Sequence, residues 1–247
     1  MNGQSWRWWL LIGLTSPVVI PLALYTRLTA LRLAPAAGPA EGVAGVRYAG
    51  RPVRLLLLGE STAAGVGVSC LSQALVGQLA SALADSQQRP VAWRVLAENG
   101  ITATQACQRL LPQVPAGSFD LAVLVFGVND CSHLTRLSRW RASLCRLAVG
   151  LQAGGASVVF TGVPPLQYFT ALPWLLRWLL GARAQQLDAQ LQALADEHRA
   201  LYVPLELDFS DEYLALDGYH PSGAGYRVWA QHLAAAITRS LHSRKID

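Results

Sequence analysis

The first strong pattern along the chain is an uncharged apolar run from Trp8 to Tyr25, WWLLIGLTSPVVIPLALY. It is just long enough to cross a bilayer core, which takes roughly 17–25 residues. A single membrane anchor over residues 1–33 is the expectation. A cleaved signal peptide and a buried or interfacial hairpin broken at Pro17 and Pro21 are the alternatives. Trp8, Trp9 and Tyr25 suit the two interfaces of such a span. Arg7 precedes it while Arg27 and Arg32 follow, a bias that leans towards a cytoplasmic catalytic domain. The Ala/Gly/Pro-rich stretch over 34–50 reads as a linker.

Beyond residue 50 the periodicity changes to short apolar runs alternating with helical patterns. VRLLLLG at 53–59 is apolar without interruption, as suits a strand buried on both faces. Further strand patterns fall at 91–99, 119–127, 155–165 and 201–205, and helical patterns at 71–85, 103–111, 138–153, 173–199 and from Pro221 onward. This beat predicts an α/β fold, a three-layer α/β/α sandwich on a mostly parallel five-stranded sheet, in one domain over 51–242.

Composition sharpens the picture at one point. The chain of 247 residues is 52% hydrophobic and only 14% charged, against about 25% charged in an ordinary soluble domain, which agrees with a membrane-facing part. The net charge of +5 comes from scattered arginines, without the dense basic run or zinc-finger spacing of a nucleic-acid binder. The four cysteines form no CxxC pair, and neither metal nor organic cofactor is suggested by spacing.

In an open parallel sheet, ligands bind beyond the carboxyl ends of the strands, so those loops are where chemistry is sought. The first strand ends in Gly59-Glu60-Ser61-Thr62-Ala63-Ala64-Gly65, presenting a serine in a small-residue turn. The second ends at Asn99-Gly100 and the third at Gly127-Val128-Asn129-Asp130, which bring further N–H donors to the same edge. Ahead of the last helix stands Asp217-Gly218-Tyr219-His220-Pro221, whose spacing lets the carboxylate reach the near imidazole nitrogen and leave the far one to take a proton from Ser61. No lysine follows the small-residue turn, as a nucleotide-binding loop would require. Asp130 reads as a loop cap, and Cys131 as an inert filler.

GESTAAG, the Gly100 turn, GVND and DGYHPSGAGY together resemble the four blocks of the SGNH, or GDSL-type, hydrolases, over roughly residues 53–235. The resemblance implies Ser61 as nucleophile, Asp217 and His220 as its partners, and an oxyanion hole from the Ser61 and Gly100 amides with the Asn129 carboxamide. Glu60 departs from the family's best-known motif, which has Asp. The expected function is serine-dependent hydrolysis of a small-molecule or lipid carboxylic ester. A carbohydrate O-deacetylase, an acyltransferase and a non-catalytic binding module on the same fold stand as alternatives. Trp174 and Trp178 share one helical face and are expected either to pack in the core or to wall an acyl-chain site near the membrane.

Overall fold

The computed structural model describes residues 3–243, so the first two residues of the expected anchor segment lie outside it. The strands are β1 (Glu41–Ala44), β2 (Val53–Gly59), β3 (Val91–Ala97), β4 (Leu121–Val125), β5 (Ser157–Thr161) and β6 (Leu201–Val203). They form one sheet in the order β1-β3-β2-β4-β5-β6. Five strands are parallel, and β1 pairs antiparallel with β3, with Glu41 opposite Arg94. The expected α/β class holds, but the sheet has six strands rather than five. The extra strand lies within the stretch expected as linker. It is only four residues long, and its pairing to the free edge of β3 defines it rather than any apolar alternation of its own.

The helices are α1 (Gly3–Thr29), α2 (Leu75–Gln87), α3 (Ala103–Arg109), α4 (Val128–Ser132), α5 (Leu137–Ala153), α6 (Trp174–Glu197) and α7 (Gly223–Ser243). The uninterrupted apolar run of β2 is explained by two cores. Leu55 and Leu57 face the layer of α2 and α7, while Leu56 and Leu58 face that of α3, α5 and α6, and all four are fully buried. Because the chain runs from β2 to β3 on one side and then crosses to β4 on the other, the order reverses at β2. A crevice opens outside the carboxyl ends of strands at such a reversal.

α1 is one continuous helix with Pro17 and Pro21 inside it, not a hairpin. Its stretch Trp6–Thr29 is long and apolar enough to cross a membrane, and all of it but Trp8 is exposed or half-buried. Trp8 departs from its expected place at a membrane interface. Only 3% exposed, it donates its indole N–H to the Leu179 carbonyl at 3.0 Å, and its ring stacks 4.7 Å from the Arg183 guanidinium. Arg183 is itself fully buried on α6 and donates to the Gln186 side chain and to the Thr135 carbonyl. A buried cation needs such partners, and the aromatic face is one of them. Trp8→Ala should therefore loosen α1 from α6 by about 2–3 kcal/mol, the sum of one hydrogen bond and one desolvated cation–π contact. Faster amide exchange in the first half of α1 is the expected readout, and unchanged protection would contradict it.

Candidate active site

The turn after β2 places Ser61 at the crevice. Gly59 is needed there because a Cβ would lie 2.4 Å from the Val125 carbonyl of the neighbouring strand. The turn closes through Ala64 N–H to Glu60 C=O at 3.0 Å and Val66 N–H to Ser61 C=O at 3.1 Å. From the other side of the crevice, the loop before α7 delivers Asp217 and His220. Asp217 Oδ1 accepts the backbone N–H groups of Tyr219 and His220 at 2.9 and 3.0 Å. Its Oδ2 lies 2.7 Å from His220 Nδ1, and His220 Nε2 lies 2.8 Å from Ser61 Oγ. Asp217 is buried, which favours its neutral form, but the hydrogen bonds from the His220 ring and from two backbone N–H groups outweigh this and hold its carboxyl below the usual range. It therefore stays an acceptor at neutral pH. Ser61, His220 and Asp217 form one unbroken line, and that line can move a proton off the serine hydroxyl.

The expected oxyanion donors divide into two kinds. The amide N–H groups of Ser61 and Gly100 have no hydrogen-bond acceptor among the described residues. Gly100 sits in a left-handed turn at φ +82° beside Asn99, and Asn99 rather than Gly100 lines the cavity at Ser61. Asn129 lines that cavity too, yet its carboxamide N–H₂ is occupied. It donates to Glu60 Oε2 at 2.7 Å and to the Ile101 carbonyl at 3.2 Å.

Gly127 makes the Asn129 loop possible. Its φ is +140°, and a Cβ there would meet Val163 at 2.7 Å. Asp130 is fully buried and accepts the Ala103 N–H at 2.9 Å, capping the start of α3. It thereby joins the Asn129 loop to the segment just after Gly100, a more specific part than the loop cap expected. The Cys131 thiol is fully buried, and burial pushes its pKa well up, as suits an inert packing group. Among the described residues no group of three or more His, Cys, Asp or Glu gathers in metal-binding geometry.

The cavity measures about 240 Å³. Its apolar wall is formed by Phe169, Leu205, Leu207, Phe209, Leu214 and Tyr219. Phe169 stacks on Phe209 with ring centres 5.5 Å apart and meets Tyr219 at 6.2 Å. Trp174 and Trp178 take no part in it and point to solvent, 71% and 52% exposed. The alternation Leu205-Glu206-Leu207-Asp208-Phe209 was the available sequence signal for this wall, since it sends every second side chain inward.

A doubly wound sheet carrying Ser, His and Asp in hydrogen-bonded sequence at its carboxyl edge is the arrangement of an α/β hydrolytic enzyme. The chain belongs to the GDSL-like lipase/acylhydrolase family, whose family model matches residues 57–228. It is 28% identical over 203 residues to a GDSL-like esterase of Mycobacterium tuberculosis, a match covering 79% of this chain and 64% of that relative. The chain thus spans less than two thirds of that relative's length. In fold it is similar to a lipase/acylhydrolase from Enterococcus faecalis, with a TM-score of 0.60 and 24% identity over 78% of this chain and 96% of the other. It is also similar to the psychrotrophic esterase EstA from Pseudoalteromonas sp., with a TM-score of 0.60 and 17% identity over 76% and 98%.

Proposed function

We propose that residues 51–242 form a serine esterase that cleaves carboxylic esters through an acyl-enzyme on Ser61. The observation that carries this reading is the continuous Ser61–His220–Asp217 hydrogen bonding at the mouth of an apolar cavity. His220 Nε2 takes the Ser61 proton as Oγ attacks the ester carbonyl. The resulting oxyanion is met by the Ser61 and Gly100 amides and by Asn129, and His220 then gives its proton to the departing alcohol. Water, deprotonated by the same imidazole, hydrolyses the acyl-enzyme and restores Ser61.

If Asn129 supplies one of the oxyanion donors, Asn129→Ala should lower kcat by about 100- to 1000-fold with a smaller effect on KM. Near-full turnover in that variant would remove Asn129 from the mechanism.

The cavity is smaller than the roughly 300–1,000 Å³ of drug-sized ligand sites, and its acyl wall is aromatic and aliphatic. Short and medium acyl groups are the favoured substrates. Assays of the purified protein on p-nitrophenyl acetate, butanoate and palmitate test this. Turnover of the first two with palmitate slower by about tenfold or more is expected. No turnover of any of the three would overturn the esterase reading.

α1 supports membrane association of this enzyme. Trp8 is held on α6, while the Ala36 and Ala37 N–H groups bond to the Ala64 and Ser69 carbonyls. From Trp8 to Thr29 the helix rises about 32 Å, and the chain from Thr29 to Ala36 reaches at most about 24 Å. With both ends so held, α1 seats against the bilayer from the catalytic domain's own side. A full crossing requires Trp8 to leave α6.

A further inference from the structure

Glu60 stands where the family's best-known motif has aspartate, and its surroundings are unusual for a carboxylate. It is only 2% exposed, and among the described residues no lysine, arginine or histidine forms an ion pair with it. Its ligands are three N–H groups: Val128 N to Oε1 at 2.9 Å, Asn129 N to Oε2 at 3.0 Å, and Asn129 Nδ2 to Oε2 at 2.7 Å.

The Ile101 carbonyl fixes which way the Asn129 amide points. A carbonyl and a carboxylate can only accept, so the atom facing both must be the N–H₂ group. The two protons of a planar N–H₂ have fixed directions. Sending either one to an oxyanion in the cavity means turning the carboxamide, which breaks the Glu60 contact.

Protonation of Glu60 has the opposite consequence. A carboxylic acid holds these three N–H groups less tightly than a carboxylate does, because the bonds are no longer charge-assisted. The Val128 and Asn129 N–H groups are fixed in the first turn of α4, which leaves the Asn129 side chain as the group free to swing.

We propose that Glu60 is a positioning residue that latches the Asn129 carboxamide away from the reacting ester when ionised and releases it when protonated, so that the oxyanion hole of this chain is gated by pH. This rests on the assignment of Asn129 as an oxyanion donor above. Burial pushes the Glu60 carboxyl up to about 8, and the nearby Asp130 adds to the rise, against the pull of the three N–H groups. The titratable groups facing it are Asp130 and Cys131 on α4, themselves faced by Arg183 of α6. Glu60 is thus neutral below about pH 8 and ionised above it. The latch closes, and activity falls, as pH rises through that value. An aspartate is shorter by one methylene, so on this proposal it reaches the same three N–H groups less well and holds Asn129 less firmly.

The test is the rate at which a fluorophosphonate modifies Ser61, because its phosphoryl oxygen occupies the oxyanion's place, together with kcat on p-nitrophenyl butanoate, both from about pH 6 to 10. In the wild type both should fall by about tenfold or more above pH ~8, as expected when a charge-assisted hydrogen bond must be broken. Glu60→Gln has no such ionisation and should lose that decline. Glu60→Asp should also lose it, and should exceed wild-type kcat by about tenfold at pH ~9 with KM within about threefold. A merely structural Glu60 would give slower variants at every pH. A flat wild-type profile, a decline that persists in Glu60→Gln, or both variants falling to the level of Asn129→Ala would overturn the proposal. The wild-type profile decides even if a variant does not fold. Complete failure of labelling at all pH values would instead count against Ser61 as nucleophile.

Discussion

Ser61→Ala is expected to cost on the order of 10⁶-fold in kcat on p-nitrophenyl butanoate, and His220→Ala nearly as much, with the double variant no worse than either single one. The reason is mechanical. His220 Nε2 lies 2.8 Å from Ser61 Oγ, so in the proposed mechanism the two share one proton transfer, and removing either would abolish the same step. What survives is the binding of the ester and the pull of the oxyanion donors. Neither substitution should prevent folding, because both side chains end at the cavity rather than in one of the two cores. Steady-state rates and thermal melts of the three variants check this. Additive losses in the double variant, or turnover within about a hundredfold of wild type in Ser61→Ala, would show that Ser61 is not the nucleophile.

Asp217→Asn should lower kcat by about 10⁴-fold while leaving the loop intact. The carboxylate has two separate tasks: Oδ1 takes the Tyr219 and His220 backbone N–H groups, and Oδ2 takes the His220 ring. In asparagine the carbonyl oxygen can keep the backbone pair, but the N–H₂ group then faces Nδ1 and donates to it. The imidazole must move its proton to Nε2, where it points at Ser61 and can no longer accept. The expected result is a large loss in kcat with a melting temperature close to wild type. A loss under about tenfold would mean that His220 does not depend on Asp217 for its tautomer.

Much of the fold could be read from the chain because its strands are buried on both faces. The leucines of β2 needed no alternation to be recognised, and the structure divides them between two cores, Leu55 and Leu57 to one and Leu56 and Leu58 to the other. β1 was not legible for the converse reason: Glu41-Gly42-Val43-Ala44 is short and weakly apolar, and only the exposed edge of β3 makes it a strand. Ser61, Gly100 and Asn129 follow β2, β3 and β4 and could be proposed from topology, which gathers strand ends at one edge, whereas the Asp217–His220 pair lies in the loop before α7 and could be proposed from its own spacing. The Glu60–Asn129–Ile101 network could not, since it depends on how closely two loops approach across the crevice. Helical spacing put Trp174 and Trp178 on one face, but Leu176, Leu179, Arg183 and Leu187 are the buried positions that set the rotation of α6 and turn both tryptophans to solvent. The seat of Trp8 on α6 is not legible in the sequence, because nothing in an apolar run announces a buried arginine far along the chain.

The most direct measurement is mass spectrometry of the purified protein after reaction with a fluorophosphonate, wild type beside Ser61→Ala. One phosphonyl group on the peptide carrying Ser61, absent from the folded variant and formed in step with loss of ester turnover, is the expected result. Ester turnover that survives full phosphonylation of Ser61, or folded wild-type protein that takes up no label, would contradict Ser61 as the nucleophile.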